Sequence, residues 1–333
     1  MSIPKRDLLC GITGAAMLLA SGLPARAQAQ APIKLRLAHS GQEAETQHLA
    51  ALEFARLAKE RSNGQLLIQV YAASALGNDN TAVAAVRGGT IDFVLSGNPY
   101  FTGIVPRLNV LDLPYIFVNS EHAYKVLDGS IGRGLLDEME AHNMKGLAFL
   151  EVGFRNVTNS RRPVKTPDDI KGLKLRTTPN PAHVKAFQLL GANPTPMPIA
   201  EVYLAMESKA IDGQENPASI VRNAKFYEVQ KHMSMTRHAY TAEPLVMNKA
   251  KFYSLTPAQQ QVLLEAARGA ATFHRELNRK SEAADIAFLK ANGMQVEENI
   301  DAEPFRKIVA EPVKQLFAEK NGVELIDAVQ KAR

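Results

Sequence analysis

The chain has 333 residues, of which 46% are hydrophobic, with a formal net charge of +5 and a single cysteine, Cys10. One cysteine cannot form an intramolecular disulfide, so the core must be held by packing, and a chain of this length can bury that core as two lobes. The charge is mild, tryptophan is absent and aromatic residues make up 6% of the chain. This composition gives no case for nucleic-acid binding.

The first residues have the features of a secretory signal peptide. Lys5 and Arg6 precede an uncharged run at 8–23, and residues 25–27 (Ala-Arg-Ala) have the small-x-small pattern of a cleavage site. We therefore expect residues 1–27 to be removed and the mature chain to be periplasmic. The run is too short for a membrane span, which needs roughly 20 apolar residues. Sec and twin-arginine export both stay open as routes.

Strands alternate with helices through the first half of the expected mature chain. Apolar alternation predicts strands, whereas a period of 3.6 residues predicts helices. In chain order the patterns predict a strand at 33–38, a helix at 46–63, a strand at 65–71, a helix at 80–87, a strand at 91–96, helices at 121–127 and 131–142, and a strand at 146–152. This order is typical of the α/β class.

The second half continues in the same style and ends with a long helical pattern. We predict a turn that Thr166 caps and Pro167 opens, then a strand at 173–177 and helices at 182–190 and 201–210. From Thr256 as the N-cap, a helical pattern runs to Gly293, about 36 residues and about 54 Å. That length exceeds one lobe, so the pattern is either a strut shared by two lobes or two shorter helices that break near Gly269.

The usual motifs of catalysis and metal binding are absent from the sequence. Its eight histidines are scattered, with no H-E-x-x-H motif and no second ligand at helical spacing. Neither a G-x-S-x-G nor a Walker loop occurs. We therefore expect no metal site, no cofactor and no enzymatic activity.

Two arginines lie at or just after the ends of predicted strands, at the positions where α/β lobes commonly meet ligands. Arg155 comes after the strand that ends at Val152, and Arg176 ends the segment LKLR. In that segment alternation buries the two leucines and turns the basic residues to the other side. An arginine there can bind a carboxylate through two parallel N–H bonds. By contrast, Arg161 and Arg162 are interpreted as solvated surface residues.

The segment KAIDGQENPASI places three polar residues side by side, Gln214, Glu215 and Asn216, directly before Pro217. Such side chains are costly to bury unless each finds a partner. The segment is therefore expected either to meet a ligand or to form ordinary hydrogen bonds in a turn.

Three segments of the second half are specific in combination, namely LKLR, GANPTPM and DGQENP. RLAHS, GTIDFVLSG and LPYIF precede them, and FYEVQKHMSMTRHAY and the long helical pattern follow. Together they resemble the periplasmic substrate-binding proteins of tripartite ATP-independent periplasmic (TRAP) transporters, the C4-dicarboxylate- and sialic acid-binding type of extracellular solute-binding protein family 7. The resemblance covers nearly the whole mature chain. It implies an α/β fold with two lobes, a ligand cleft between them and a long helix that spans both.

The resemblance also implies how the lobes work. Lobe I is expected to comprise residues 28–152 plus 242–281, and lobe II residues 153–241 plus 282–333. The lobes would close on a small organic acid about hinges, two of them near 151–154 and 238–241. They would deliver it, without ATP, to integral membrane subunits of a TRAP transporter. The protein is expected to be a monomer.

Site residues follow from the same resemblance. Arg176 is expected to pair the ligand carboxylate, with Arg155 assisting, Asn216 donating to the same group, and Gln214 and Glu215 in support. In lobe I, polar residues at strand or turn ends are candidates for binding hydroxyl groups: His39, Ser40, Gln42, Asp79 and Asn98.

Two departures from the family pattern bear on the substrate. Sialic acid-binding members carry an aromatic residue at the position of Ile199 and an acidic residue at the position of Gly97, so sialic acid is disfavoured as the ligand. Ile199 is itself a further candidate for ligand contact. A sugar acid such as a uronate or aldonate suits the hydroxyl-binding candidates. A C4-dicarboxylate, the alternative, would need another cation in lobe I. Arg87 and Arg107 are the nearest candidates in the sequence for such a cation, and both are expected at the surface.

Two other classes of function stay open. A secreted sugar-acid lyase or hydrolase would need a base, and its candidates, His39 and Glu215, have no visible partner in the sequence. A ligand-sensing partner of a membrane receptor would use the same fold and ligand. Neighbouring genes for two integral membrane subunits would favour transport.

We expect the exported protein to begin near Gln28 and to contain no thiol, because Cys10 lies within the removed segment. Mass spectrometry of protein recovered from the periplasm measures its N-terminus. Covalent labelling of that protein by a maleimide would contradict the prediction.

Overall fold

The computed structural model describes residues 31–333, so the predicted signal peptide and Cys10 lie outside the described residues. The strands are β1 (Ile33–His39), β2 (Leu66–Tyr71), β3 (Phe93–Leu95), β4 (Met144–Asn159), β5 (Lys174–Thr177), β6 (Asn193–Pro196), β7 (Gly213–Asn216), β8 (His232–Asn248) and β9 (Gln295–Glu297). The α-helices are α1 (Thr46–Arg61), α2 (Asp79–Gly88), α3 (Ser120–Asp128), α4 (Ser130–Glu138), α5 (Pro181–Leu189), α6 (Ile199–Glu207), α7 (Ala218–Asn223), α8 (Lys249–Tyr253), α9 (Pro257–Ala291), α10 (Glu303–Asn321) and α11 (Glu324–Lys331).

The strands of residues 31–333 form one mixed sheet in the order β2-β1-β3-β8-β4-β7-β5-β6, with β9 paired to β8. Neighbours are parallel in β2-β1-β3 and in β7-β5-β6, whereas β4 and β8 pair antiparallel with each other. The first lobe contains β1 to β3, and the second contains β5 to β7 and β9. This arrangement agrees with the predicted two-lobed α/β fold.

Strands β4 and β8 belong to both lobes. Near its N-terminus β4 pairs with β8 alone, whereas its end at 156–159 pairs also with β7 of the second lobe. Strand β8 runs the other way, from a pairing with β9 at 232–234 to a pairing with β3 at 245–247. The chain therefore crosses between lobes along two adjacent, hydrogen-bonded strands.

The ladder between β4 and β8 is irregular where it passes between the lobes. Its register shifts between Glu151 and Gly153, and again between Arg155 and Val157. Gly153 has a φ of +106°, which is strained for residues that carry a Cβ atom. Such bulges bend a strand and increase its local twist. The predicted hinge at 151–154 coincides with this bulge.

Within residues 31–333, three hydrophobic cores hold the layers together. In the first lobe, α1 and α9 cover one face of the sheet through residues such as Leu37, Phe54 and Leu263. In the second lobe, Val202, Val221 and Leu289 form a smaller core from α6, α7 and the end of α9. The third core is continuous between the lobes and includes Val94, Leu111, Leu136, Leu175, Phe187 and Phe305.

Helix α9 is a single helix of 35 residues, about 52 Å long. Thr256 is its N-cap, as predicted, and also forms a capping box with Gln259. The helix contributes Leu263 to the first-lobe core and Leu289 to the second-lobe core. The spanning helix is confirmed, and the alternative of two helices is wrong. Gly269 lies within the helix, where a Cβ atom would come within 2.7 Å of Leu57 Cδ1, so it permits close packing of α1.

The last helix, α11, returns to the first lobe. His122 Nε2, in α3, donates a hydrogen bond of 2.8 Å to the carbonyl oxygen of Val329. Helix α10, in contrast, packs against α5 of the second lobe. Within residues 31–333, no helix is both long and apolar enough to cross a membrane.

The predicted elements of the first half agree with the structure to within a few residues, except that the strand at 146–152 continues to Asn159. The predicted turn after Thr166 is a short 3₁₀ helix, Pro167–Ile170, with a capping box. The alternative that places Gln214 and Glu215 in a turn is wrong, because both residues lie in strand β7 between β4 and β5. Strands β6, β8 and β9 and helices α7, α8, α10 and α11 were not predicted.

Replacing Gly153 with alanine is expected to lower the free energy of unfolding by about 1–2 kcal/mol, because a Cβ atom at positive φ is strained. Gly134→Ala serves as the control: it lies within α4 with open space around it, and should stabilise by about 0.5–1 kcal/mol. Urea denaturation measures both values. A Gly153→Ala variant as stable as the wild type would contradict the strain at the bulge.

Candidate functional site

A cavity of about 380 Å³ lies between the lobes, next to the irregular part of the β4–β8 ladder. The first lobe lines it with the loop at 40–42, the start of α1 and the start of α2. The second lobe contributes Arg176, Asn216 and residues of α6 and α7. The crossing strands add Arg155 and Glu243. The cavity is thus enclosed by elements that belong to different lobes.

Arg176 is buried in the wall of this cavity without an acidic partner. Its side chain leaves β5 on the side opposite Leu175, as strand alternation predicts, and the residue is 1% exposed. Its Nε donates to the Met197 carbonyl oxygen at 2.9 Å and its Nη2 to the Tyr100 hydroxyl at 3.3 Å. No carboxylate of residues 31–333 lies within salt-bridge distance of it. A buried cation of this kind is costly unless an anion compensates it.

Arg155, in contrast, already has a carboxylate partner. Its Nε and Nη2 both donate to the Glu215 carboxylate, the second at 2.9 Å, and its Nη1 donates to Thr241 Oγ1 at 3.3 Å. Burial alone would raise the pKa of Glu215, but the Arg155 guanidinium and a hydrogen bond with His238 hold that pKa well below its usual range. Most of the charge of Arg155 is therefore compensated within the protein.

The polar segment of β7 supports the cavity from behind. Gln214 Nε2 donates to Thr158 Oγ1 at 2.9 Å, and Asn216 Nδ2 donates to Gln214 Oε1 at 2.6 Å. Of the three polar residues, Asn216 lines the cavity, and Gln214 and Glu215 do not. The strand thus positions Asn216 and Arg155 through buried hydrogen bonds.

The first-lobe wall is rich in hydrogen-bond acceptors. Asp79, at the start of α2, accepts hydrogen bonds at Oδ1 from Ser40 Oγ at 3.0 Å and from Ser96 Oγ at 2.6 Å. Its Oδ2 has no hydrogen-bond partner among residues 31–333. Burial raises the pKa of Asp79, although the two serines and the charge of Arg176 oppose that shift.

Three glutamates continue this wall. Burial raises the pKa of Glu243 to about 8 and that of Glu45 to about 7. Glu151 accepts hydrogen bonds from the hydroxyls of Tyr240 at 2.8 Å and Tyr124 at 3.0 Å, and burial raises its pKa as well. These carboxyl groups are held together in a desolvated wall.

Among residues 31–333, lysine and arginine line the cavity only on its second-lobe and crossing-strand side. Within the described residues, those that line it are Arg155, Arg176 and Lys225. The predicted positions of Arg87 and Arg107 at the surface agree with the structure. Among residues 31–333 no group of three His, Cys, Asp or Glu side chains is arranged to hold a metal ion.

Most of the predicted site residues come together in this cavity. The residues that line it are Arg176, Arg155, Asn216, Ser40, Gln42, Asp79 and Ile199. Two others, His39 and Asn98, lie outside the lining. Arg161 has a side chain that is 63% exposed, as expected, whereas Arg162 donates to the carbonyl oxygens of Asp169 and Lys171.

His39 and Asn98 are turned into the protein, which corrects their interpretation as ligand-facing residues. His39 Nε2 lies 3.0 Å from His48 Nδ1, and burial lowers the pKa of His39 to about 4. Asn98 Nδ2 donates to Asp112 Oδ2 at 2.7 Å and to the Leu108 carbonyl oxygen at 2.9 Å. His39 and Glu215, the two candidate catalytic bases, both lie outside the residues that line the cavity.

Several lining residues were missed in the sequence. Glu243 belongs to the unpredicted crossing strand β8, and His274 is one of many polar residues on α9. Tyr100 follows β3 by a few residues, close to the predicted Asn98. The position after a strand was a usable signal for Tyr100, whereas Glu243 and His274 required knowledge of how β8 and α9 pack.

Comparison with known proteins supports the recognition of the family. The model of the bacterial extracellular solute-binding protein family 7 matches residues 37–320. The 2,3-diketo-L-gulonate-binding periplasmic protein YiaO of Escherichia coli is 42% identical over 301 residues, covering 90% of this chain and 92% of YiaO.

Solved structures agree with the fold. A TRAP periplasmic solute-binding protein from Polaromonas, bound to D-erythronate, matches with a TM-score of 0.87 and 36% identity, covering 89% of this chain and 98% of that one. A sugar acid-binding protein from Advenella mimigardefordensis, in complex with galactonate, matches with a TM-score of 0.87 and 32% identity, covering 91% and 99%. The chain therefore belongs to the bacterial extracellular solute-binding protein family 7, and its resemblance to TRAP transporter binding proteins is confirmed.

Proposed function

We propose that this protein captures a sugar acid, an aldonate or a uronate, in the periplasm and delivers it to the membrane subunits of a TRAP transporter. The ligand carboxylate would bind Arg176, and its hydroxyl groups would bind the acceptor-rich wall of the first lobe. The observation that carries this proposal is Arg176 itself, a buried guanidinium with no carboxylate partner among residues 31–333.

The donors around Arg176 suit a carboxylate. Its Nε and one N–H of Nη2 are used by the protein, which leaves the Nη1 side of the planar fork for a ligand. Asn216 and the Nη1 of Arg155 line the same cavity and can add weaker hydrogen bonds. Glu215 already compensates the charge of Arg155. We therefore propose that Arg176 is the main binding partner of the ligand carboxylate and that Arg155 assists it.

The opposite wall suits hydroxyl groups. Asp79 Oδ2 and Glu243 Oε2 are buried acceptors without a hydrogen-bond partner in the described chain, and a hydroxyl can donate to each. A second carboxylate would instead face Asp79, Glu45 and Glu243 with no lysine or arginine from the first lobe to pair with it. This arrangement favours a sugar acid over a C4-dicarboxylate.

The relatives support the same class of ligand. YiaO is named for binding 2,3-diketo-L-gulonate, and the two solved proteins hold D-erythronate and galactonate. All three ligands combine one carboxylate with several oxygen-bearing carbons. We propose that this chain binds an acid of that chemical class, and we do not assign it one particular member.

Delivery would depend on closure of the lobes about the crossing strands. We take lobe I as residues 28–152 plus 242–281 and lobe II as 153–241 plus 282–333, but we assign 324–331 to lobe I because α11 contacts α3. The bulge at Gly153 lies at the first crossing. The mature chain is expected to act as a monomer after removal of its signal peptide. A role in sensing rather than transport would use the same site with another membrane partner.

Stability of the free protein should fall as the pH rises from about 6.5, above which the buried histidines are mostly neutral in both states, to about 8. Burial raises the pKa of Glu243 from 4.5 to about 8, so between these values the folded state binds more protons than the unfolded state, and raising the pH favours unfolding. Glu45 and Asp112 act in the same direction. Glu243→Gln removes one of these groups, so its melting temperature should fall less steeply over this range. If the melting temperatures of the variant and the wild type fell equally steeply with pH, the raised pKa of Glu243 would be contradicted.

Replacing Arg176 with alanine is expected to weaken binding of D-galactonate or D-erythronate by roughly 2 to 5 kcal/mol, about 30-fold to several-thousand-fold, because the ligand carboxylate loses its buried partner. Arg176→Lys should be nearly as damaging, since an ammonium group cannot form the planar fork. Isothermal titration calorimetry, after a thermal-shift panel of organic and sugar acids, measures these changes.

Arg161→Ala is the matched control, because this arginine has a side chain that is 63% exposed and pairs with Asp212 at 3.5 Å. It should change binding by less than about twofold. Free Arg176→Ala should remain folded, since Arg176 has only carbonyl and hydroxyl hydrogen-bond partners within residues 31–333. A folded Arg176→Ala protein that binds these acids as tightly as the wild type would contradict the proposal that Arg176 binds the ligand carboxylate.

A further inference from the structure

Glu243 and His274 form a buried pair on the first-lobe side of the cavity. Glu243 is on the crossing strand β8 and His274 on the spanning helix α9, and each is 1% exposed. Both line the cavity. They come from two elements that connect the lobes, so their relative position depends on the packing of α9 against the sheet.

Residues at the start of α1 form a hydrogen bond with one polar atom of Glu243 and with one of His274. Gln47 Nε2 donates to Glu243 Oε1, and His274 Nε2 lies 3.1 Å from Thr46 Oγ1. The other polar atom of each, Glu243 Oε2 and His274 Nδ1, has no hydrogen-bond partner among residues 31–333. Each side chain is therefore hydrogen-bonded at one polar atom and buried without a hydrogen-bond partner at the other.

The distance between the two atoms that lack a hydrogen-bond partner suits a group that bridges them. Glu243 Oε2 and His274 Nδ1 are 3.8 Å apart, which is too long for a hydrogen bond between them. An oxygen atom can lie about 2.8 Å from both, within normal hydrogen-bond geometry. If Thr46 donates to His274 Nε2, then Nδ1 carries the proton and donates to that oxygen, which in turn donates to Glu243. With Nδ1 protonated and the Glu243 carboxyl group ionised, the bridging group must therefore both accept and donate.

We propose that Glu243 and His274 form a subsite that binds a hydroxyl group of the ligand and selects polyhydroxy acids. This inference rests on the proposed function, because it assumes that a carboxylic acid binds in the same cavity. A hydroxyl is a donor and an acceptor, whereas a carboxylate can only accept and a methyl group can do neither. Asp79, Glu45 and Glu151 lie close enough to Glu243 to act on its charge, so they add repulsion against a carboxylate at this position.

The experiment compares one polyhydroxy acid with a hydroxyl-free acid of equal length. D-Galactonate and hexanoate are titrated into the wild type and into Glu243→Leu, His274→Leu and Glu243→Gln. Each leucine variant should weaken galactonate roughly 10- to 150-fold, the effect of losing a hydrogen bond to a charged or strongly polar buried group. Glu243→Gln keeps a polar side chain able to hydrogen-bond and should stay within about fivefold of the wild type. Hexanoate should lose no more than about twofold in any variant.

The controls separate this subsite from the carboxylate anchor and from general damage. Glu140→Gln, which removes an ion pair with Lys145 away from the cavity, should leave galactonate binding unchanged. If both leucine variants fail to fold, the wild type alone decides, since it must bind galactonate at least about 100-fold more tightly than hexanoate. Loss of galactonate binding in Arg176→Ala with full binding in the folded leucine variants would overturn the hydroxyl subsite and leave the proposed function standing. Unchanged binding in Arg176→Ala would instead overturn the proposed function.

Discussion

The pairing of β4 with β8 is the interaction on which the rest of the molecule depends. These two strands are the ladder that both lobes share, and they also carry cavity residues: Glu151 and Arg155 on β4, Thr241 and Glu243 on β8. A local bend at the bulge around Gly153 would therefore move the two walls of the cavity relative to each other, while the flanking hydrogen bonds of the ladder persist. Fold and site depend on the same few residues.

The two arginines of the cavity illustrate how context decides the role of a residue. Arg155 is held by the Glu215 carboxylate on the neighbouring strand β7, so its charge contributes mainly to the structure. Arg176 lies two strands from β4 and has carbonyl and hydroxyl partners instead. A buried pair of opposite charges needs no further ion, whereas a buried single charge does. The same residue type therefore supports the site in one place and faces it in the other.

Local patterns in the sequence predict the elements whose side chains alternate or repeat regularly. Strand β1 and helices α1 and α9 have clear apolar periodicity or capping residues, and they were found with nearly correct ends. Strand β7 has no such pattern, because its three polar residues are satisfied in the core by partners on β4 and β8 and by a hydrogen bond within β7 itself. Position at the end of a strand or turn located Arg176 and Asp79, but it also selected His39, whose side chain pairs with His48. Which way a side chain turns depends on tertiary packing.

The cavity keeps complementary groups unpaired on opposite walls, and this explains how closure can depend on the ligand. Arg176 on one wall and Asp79 and Glu243 on the other are buried in this structure, so the proposed closure of the lobes would keep them from water. An acid without hydroxyls compensates Arg176 and leaves the carboxyl wall unpaired, whereas a neutral polyol does the reverse. Each therefore leaves a desolvation cost that opposes the closed state. A ligand that carries both groups at the right separation removes both costs together, so the two walls act jointly in selecting it.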